Sequence, residues 1–159
     1  PLGSYGYNAN GVEFYPHELG LGGRFANVES LVPESEDVVP LPASRVKVPS
    51  DMIAFGDATL VWVPPIFLKN LYNSSGSVSY SGAALIDINS HNNMLTPSWP
   101  GRQGIMQATK QRHNETYNIG FCDGHLENIK EKKLFELTEP ALRRWNNDNI
   151  PHAELLKSL

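Results

Sequence analysis

The chain has 159 residues, a formal net charge of −4 and 40% hydrophobic residues, enough for one domain around one core. The acidic balance and the lack of a Lys/Arg cluster exclude nucleic acid as an expected partner, and no run of about 18 apolar residues is present to cross a membrane. With 13 glycines and 12 prolines a loop-rich globular domain is expected, and the single cysteine, Cys122, excludes an internal disulfide.

Pro1-Leu-Gly-Ser4 has the composition of a scar left by cleaving an affinity tag, so the domain is expected to occupy 5–159. From Tyr5 to Gly23 the chain is rich in Gly, Asn and aromatic residues, which predicts short extended pieces joined by turns. Tyr5, Tyr7, Phe14 and Tyr15 serve either to plug gaps in a small core or as a platform for a sugar, since aromatic faces stack on apolar ligand faces. Arg24 to Leu31 reads as a short helical turn, and the proline- and acid-rich stretch from Val32 to Pro42 as an exposed loop.

Pro49-Ser50-Asp51 is a turn leading into a strand from Met52 to Asp57, in which alternation puts Ile53, Phe55 and Asp57 on one face and leaves Ala54 and Gly56 on the other. Strand pattern resumes from Leu60 to Val63 and stops at Pro64-Pro65. Ile66 to Tyr72 is a short helix or an irregular apolar segment, and Asn73 to Gly82 a Ser/Gly/Asn loop. Ala83 to Ile88 is apolar and overlaps Asp87-Ile-Asn-Ser-His-Asn-Asn93, which is dense in oxygen donors. Thr96 to Gly104 returns to loop, around Trp99.

The most informative stretch runs from His113 to His125. Ile119 and Phe121 alternate with Gly120 and Cys122 as in a strand, and Asp123-Gly124 signals a two-residue type I′ hairpin turn. That loop length sets Cys122 opposite His125 and Phe121 opposite Leu126, so that the return strand to about Ile129 continues the apolar face. Gly120 and Cys122, like Ala54 and Gly56, leave one face nearly bare, which implies close packing by another element. Glu131 to Lys133 is solvated, Leu134 to Leu137 docks, and Thr138 caps a helix from Glu139 to about Trp145 with Pro140 in its first turn. Ala141, Leu142 and Trp145 share a helical face. Asn146 to Asn149 and Pro151 end the helix, and Ala153 to Leu159 form a frayed turn.

The spacing of His113, nine residues, then Asp123-Gly124 resembles the H-X9-DG signature of a bacterial prepilin-type family, a branch of the type IV pilin and type II secretion pseudopilin superfamily. Ser4-Tyr-Gly-Tyr-Asn8, Val48-Pro-Ser-Asp-Met-Ile-Ala-Phe-Gly-Asp57 and Arg143-Arg-Trp-Asn-Asn-Asp-Asn-Ile-Pro-His152 are similar to landmarks of that family, so the resemblance spans most of the chain. It implies an α+β, pilin-like head: an antiparallel sheet with long loops and a short C-terminal helix. The N-terminal spine helix, absent from this sequence, is one candidate to cover a bare sheet face. It implies a structural subunit of a pseudopilus or pilus-like fibre, with partners among other pilin-like subunits and secretion-system components. The membrane is reached only through the missing helix, with the protein anchored in the bacterial inner membrane and its head in the periplasm or an extracellular fibre. Calcium binding by related pseudopilins makes calcium the ion to consider.

Three chemistries compete with that reading. Asp57, His113, Asp123 and His125 are the candidate metal ligands, although no EF-hand loop or zinc spacing is present. A strand rises roughly 3.3 Å per residue, so five residues span about 16 Å, and His113 meets Asp123 only if the chain folds back. A glycan- or metal-binding module would use the aromatic and Asn/Ser-rich loops. A metal-assisted hydrolase would need Asp57, Asp123 and His113 or His125 at one end of the sheet. No nucleophile motif, paired-carboxylate motif or P-loop is present, so no catalytic residues are expected, and the bland role for Cys122 is packing.

Overall fold

A computed structural model describes residues 5–13, 18–25, 38–58, 60–63, 79–82, 86–94, 103, 107 and 113–156. Its principal element is a four-stranded antiparallel sheet built from β1 (Tyr5–Tyr7), β4 (Ile53–Asp57), β7 (Thr116–Phe121) and β8 (Leu126–Lys130), in that spatial order. Two small antiparallel pairs accompany it, β2 (Arg24–Phe25) with β3 (Val38–Val39) and β5 (Leu60–Val63) with β6 (Ser79–Gly82). The described helices are short: α1 (Ile88–Met94), α2 (Glu131–Leu134) and α3 (Glu139–Arg143), with 3-10 turns at Ala43–Arg45 and Ala153–Leu155. The fold is α+β.

One face of the sheet carries the core. Tyr117, Ile119 and Phe121 alternate inward along β7, beside Ile53 and Ile129, and pack with Ile86, Ile88, Leu134, Phe135, Leu142 and Trp145. Trp145 is fully buried behind α3, and its indole N–H points to the Leu134 carbonyl at 3.4 Å. His91 of α1 is buried too, stacked on Phe135 at 3.6 Å and edge-on to Tyr117. Its Nε2 lies 3.2 Å from Glu131 Oε1.

Two register details overturn the face assignments expected above. Ile53 lies opposite Phe121 whereas Phe55 lies opposite Gly120, so two steps on β4 match one on β7. This β-bulge at Ala54 reverses the alternation: Ile53 stays in the core, and Phe55 emerges on the opposite face, 43% exposed. Gly56 consequently faces inward, where an added Cβ would sit 2.4 Å from Ile119 Cδ1 and 3.1 Å from Ile86 Cδ1. The bare positions are therefore divided between the two faces.

The hairpin differs as well. Phe121 N–H donates to His125 O and Gly124 N–H to Phe121 O, both at 3.0 Å, so the loop has three residues, Cys122 to Gly124. Gly124 has φ +93° while Asp123 is outside the left-handed region, the signature of a type I turn closed by a G1 bulge, not type I′. Phe121 thus faces His125 and Gly120 faces Leu126. Leu126 falls on the outer face, 72% exposed, and the inward position goes to Glu127.

Other corrections follow from pairing between distant segments. Arg24–Phe25 form a strand with Val38–Val39, not a helical turn and a loop, and Ser79–Gly82 pair with Leu60–Val63. Ile88–Met94 are helical where only a donor-rich run was expected, and the charged residues from Glu131 begin a helical turn. The Thr138 hydroxyl makes no capping bond, though its carbonyl accepts from Leu142 N–H. The readings for Phe14, Tyr15, Ile66 to Tyr72 and Trp99 lie outside the described residues.

Candidate functional site

The H-X9-DG spacing measures one strand. His113 stands at the entrance to β7 and Asp123-Gly124 at its exit, with the six strand residues lying between them. His113, Asn114 and Glu115 have φ values of +43°, +60° and +64°, three consecutive left-handed residues that turn the chain sharply into the sheet. Thr116 Oγ1 closes this turn on the His113 carbonyl at 2.6 Å, and Glu131 N–H donates to Glu115 O at 2.9 Å. His113 Nε2 then lies 3.7 Å from Asp57 Oδ2, and the same carboxylate oxygen accepts Asn118 N–H at 2.7 Å. Asp57 thus continues the β4–β7 ladder with its side chain.

At the other end, Asp123 accepts from His125 twice, from the backbone N–H at 3.1 Å and from Nδ1 at 2.6 Å. His125 Nε2 faces Glu127 at 3.3 Å, and its ring stacks on Phe121 with centroids 4.3 Å apart. Arg144 binds Glu127 at 2.7 Å and Asp51 at 3.3 Å while its guanidinium lies 4.7 Å from the Phe121 centroid. Asn149 donates to Asp51 at 2.9 Å, which joins the hairpin tip, the turn before β4 and the segment after α3.

These contacts set the titration of the site. The two bonds from His125 hold the Asp123 carboxyl below its ordinary range, and the bond to Asp123 raises the imidazole. Arg144 is the main cause of the lowered Glu127 carboxyl. Burial raises the Cys122 thiol, with Asp123 adding to the effect, so the group stays protonated and is a poor nucleophile. His125 has a carboxylate on each ring nitrogen, which leaves neither free to serve as a base.

The candidate metal ligands do not converge. Because β4 and β7 are adjacent and antiparallel, Asp57 and His113 occupy one end of the sheet, and Asp123 and His125 the other. The four-residue site and the hydrolase arrangement built on Asp57 and Asp123 are therefore corrected. Among the described residues no group of three or more His, Cys, Asp or Glu gathers in a metal-binding cluster. A cavity of about 470 Å³ beside β3 is lined by Glu18, Val39, Leu41 and Arg45 among others, remote from the hairpin in sequence, and its described lining residues include no nucleophile–base pair.

Sequence reasoning missed the role of the asparagines. Asn8 is fully buried and donates to Ile53 O and Trp145 O, both at 2.9 Å, while its Oδ1 accepts Gly11 N–H at 3.1 Å. Asn146 accepts Val12 N–H at 2.9 Å and donates to Ile150 O at 2.6 Å. Asn147 donates to Glu18 O and Gly20 O at 2.6 and 2.9 Å, and Asn89 to Val12 O at 2.8 Å. A side-chain amide can satisfy donors and acceptors of irregular backbone that has no ladder of its own. The signal for this was present: asparagines recur beside aromatic residues in both Tyr-Gly-Tyr-Asn8 and Arg-Trp-Asn-Asn147.

Ile53 N–H also donates to Arg144 O at 2.8 Å, and Cys122 N–H to Met52 O at 3.0 Å. The four stretches that carry the family resemblance are thus joined by direct hydrogen bonds. No protein-family model matches the chain, and no curated protein or solved structure matches it either.

Proposed function

We propose that the chain is the extracytoplasmic head of a pilin-like structural subunit, which assembles into a type II secretion pseudopilus or type IV pilus-like fibre. The observation that carries this reading is the interlocking of the four family-like stretches around β4. Asn8 donates to Ile53 O and Trp145 O, Ile53 N–H to Arg144 O and Cys122 N–H to Met52 O, all at the hairpin end of the sheet. Residues engaged in this way hold a shape, and a shape presented by a subunit is what fibre assembly requires. His113 and Asp123-Gly124 fit the same role as the two boundary markers of β7. Catalysis would require side chains that converge, and Asp57 with His113 and Asp123 with His125 form two pairs at opposite ends of the sheet.

On this reading the membrane anchor and the contacts with neighbouring subunits lie in an apolar helix encoded upstream of Tyr5. The test is the full gene. A processed leader followed by an apolar segment of roughly 20 residues upstream of Tyr5 is expected. A gene without them would refute the proposal. With the helix present, cysteine cross-linking of the full-length protein in membranes should give a ladder of self- or mixed oligomers.

A further inference from the structure

We propose that the outward face of the four-stranded sheet holds a binding site for an uncharged sugar ring, with Phe55 as its floor and Tyr5 as its wall. The inference goes beyond fibre assembly and does not depend on it. It begins with the bulge at Ala54, which takes Phe55 out of the core. The ring then lies across Gly120: a Cβ built there would be 2.4, 2.7 and 2.8 Å from Phe55 Cζ, Cε1 and Cε2. Three ring atoms at similar distances mean that the ring lies over the strand, with its other side toward solvent. Only glycine at 120 leaves space for this.

Tyr5 meets Phe55 at 80° with centroids 6.4 Å apart, standing as a wall beside a floor. Tyr7 lies opposite Phe55 on β1, its hydroxyl fixed on Leu21 O at 3.0 Å, and Leu126 lies opposite Gly120 on β8. A second row runs alongside. Asn128 Nδ2 donates to Thr116 Oγ1 at 2.9 Å and Asn118 Oδ1 at 3.1 Å. This arrangement orients the two amides and leaves the Asn118 amide N–H groups and the Asn128 carbonyl oxygen without a partner among the described residues. Asn118 and Gly120 are two strand residues apart, roughly 7 Å, about the width of one sugar ring.

An apolar floor beside oriented amide donors and acceptors matches the two sides of a pyranose, whose C–H face stacks on aromatic rings and whose rim is hydroxyl. A dry helix or second sheet pressed on this face would strip water from the Asn118 and Asn128 amides without replacing their hydrogen bonds. Among the described residues an anionic or cationic ligand finds little to pair with. Asp57 is already bonded to Asn118 N–H and lies beside His113, and Lys130 sits at the far end of β8 from Leu126.

The test is a titration of the chain with neutral hexasaccharides of glucose, xylose, mannose and N-acetylglucosamine, read by calorimetry, with affinity electrophoresis in the matching soluble polysaccharides. At least one is expected to bind. Phe55→Ala and Tyr5→Ala should each weaken it about tenfold, Asn128→Ala should weaken it about fivefold, and Leu137→Ala, at an exposed site away from this sheet, should leave it unchanged. Tyr5 is 67% exposed at a strand end, so its variant keeps the fold and the test survives even if Phe55→Ala does not. The proposal is overturned if no neutral sugar binds or if binding ignores Tyr5 and Phe55. Sedimentation showing a dimer that Tyr5→Ala dissociates would also overturn it, by assigning the face to a second copy. None of these outcomes bears on the leader and helix that test the fibre reading.

Discussion

Phe121 and His125 lie ring on ring across the hairpin, with centroids 4.3 Å apart and planes within 1° of parallel. The pairing is a direct consequence of a three-residue loop, since a two-residue loop would have set Phe121 against Leu126. One added loop residue shifts the register by one and exchanges the faces of every residue on the return strand. Leu126 is thereby moved to the outer face, and Glu127 is brought within reach of both His125 and Arg144.

The loop geometry depends on Gly124, whose φ of +93° is strained for any residue with a side chain, although a Cβ there would meet nothing within 4 Å. Gly124→Ala should therefore cost about 1–2 kcal/mol from backbone conformation alone. Gly124→Asn should cost less, because asparagine tolerates the left-handed region. Urea denaturation of the three proteins measures this. Equal losses for Ala and Asn would mean that steric contact, not backbone strain, sets the requirement.

Gly56 and Gly120 test the divided faces. A methyl group at 56 enters the core against Ile119 and Ile86, where neighbours are close-packed, and Gly56→Ala should cost about 1–3 kcal/mol. At 120 the obstacle is the far end of the Phe55 ring, which can swing into solvent, so Gly120→Ala should cost under about 1 kcal/mol. Denaturation midpoints that reversed this order would place Phe55, not Gly56, on the core side of β4.

Local signals in the sequence carried the strands well. The β4 and β7 patterns, the turn at Pro49 to Asp51, the strand at Leu60–Val63 and the helix after Thr138 all have short-range causes in alternation or prolines. What escaped was whatever depends on a partner far along the chain. A bulge at Ala54 arises from the match between two strands, and neither strand alone shows it. The β2–β3 pair is likewise two residues on each side, too short for a periodic pattern to register. His113 and Asp123 look like a site because both are ligand types, yet the antiparallel strand between them separates them. The candidate site that does form, at Asp123, His125, Glu127 and Arg144, needed the correct loop length to be seen.

Asn8 offers the sharpest test of the amide clasp. Replacing it by alanine leaves Ile53 O, Trp145 O and Gly11 N–H without their partner in a buried setting, and Asn8→Ala should lose about 2–4 kcal/mol. Asn8→Asp keeps the size but exchanges the donor for a carboxylate beside two carbonyl oxygens, and should be at least as damaging. Thermal unfolding of both variants decides the matter. An aspartate variant as stable as the parent would show that the donor function is dispensable and only the volume counts.

The histidine–carboxylate pairs predict the pH dependence of stability. His125 is raised by its bond to Asp123; at His152 burial pulls the value down, but the bonds to Asp148 at 2.7 Å and Glu154 at 3.3 Å outweigh it. A histidine that holds its proton more tightly when folded stabilises fully below its unfolded value of about 6.5. It loses that contribution as pH rises through the raised folded value. Asp123, lowered chiefly by the His125 backbone N–H, Glu127, lowered chiefly by Arg144, and Glu154, lowered chiefly by its own backbone N–H, act in the opposite sense. They stabilise above their unfolded values of about 4 and lose this as pH falls through the lowered folded ones. Stability from these groups should therefore peak between about pH 4.5 and 6.5 and decline on both sides. The pairs are largely solvent-facing, so the effect should be small and should shrink in 1 M salt (about 3 Å screening length). Urea midpoints measured from pH 4 to 9 give the profile. The variant carrying His125→Gln and His152→Gln should flatten its alkaline limb, and Asp123→Asn should reduce the slope on both sides. An alkaline decline that persisted unchanged in the double histidine variant would assign it to other groups.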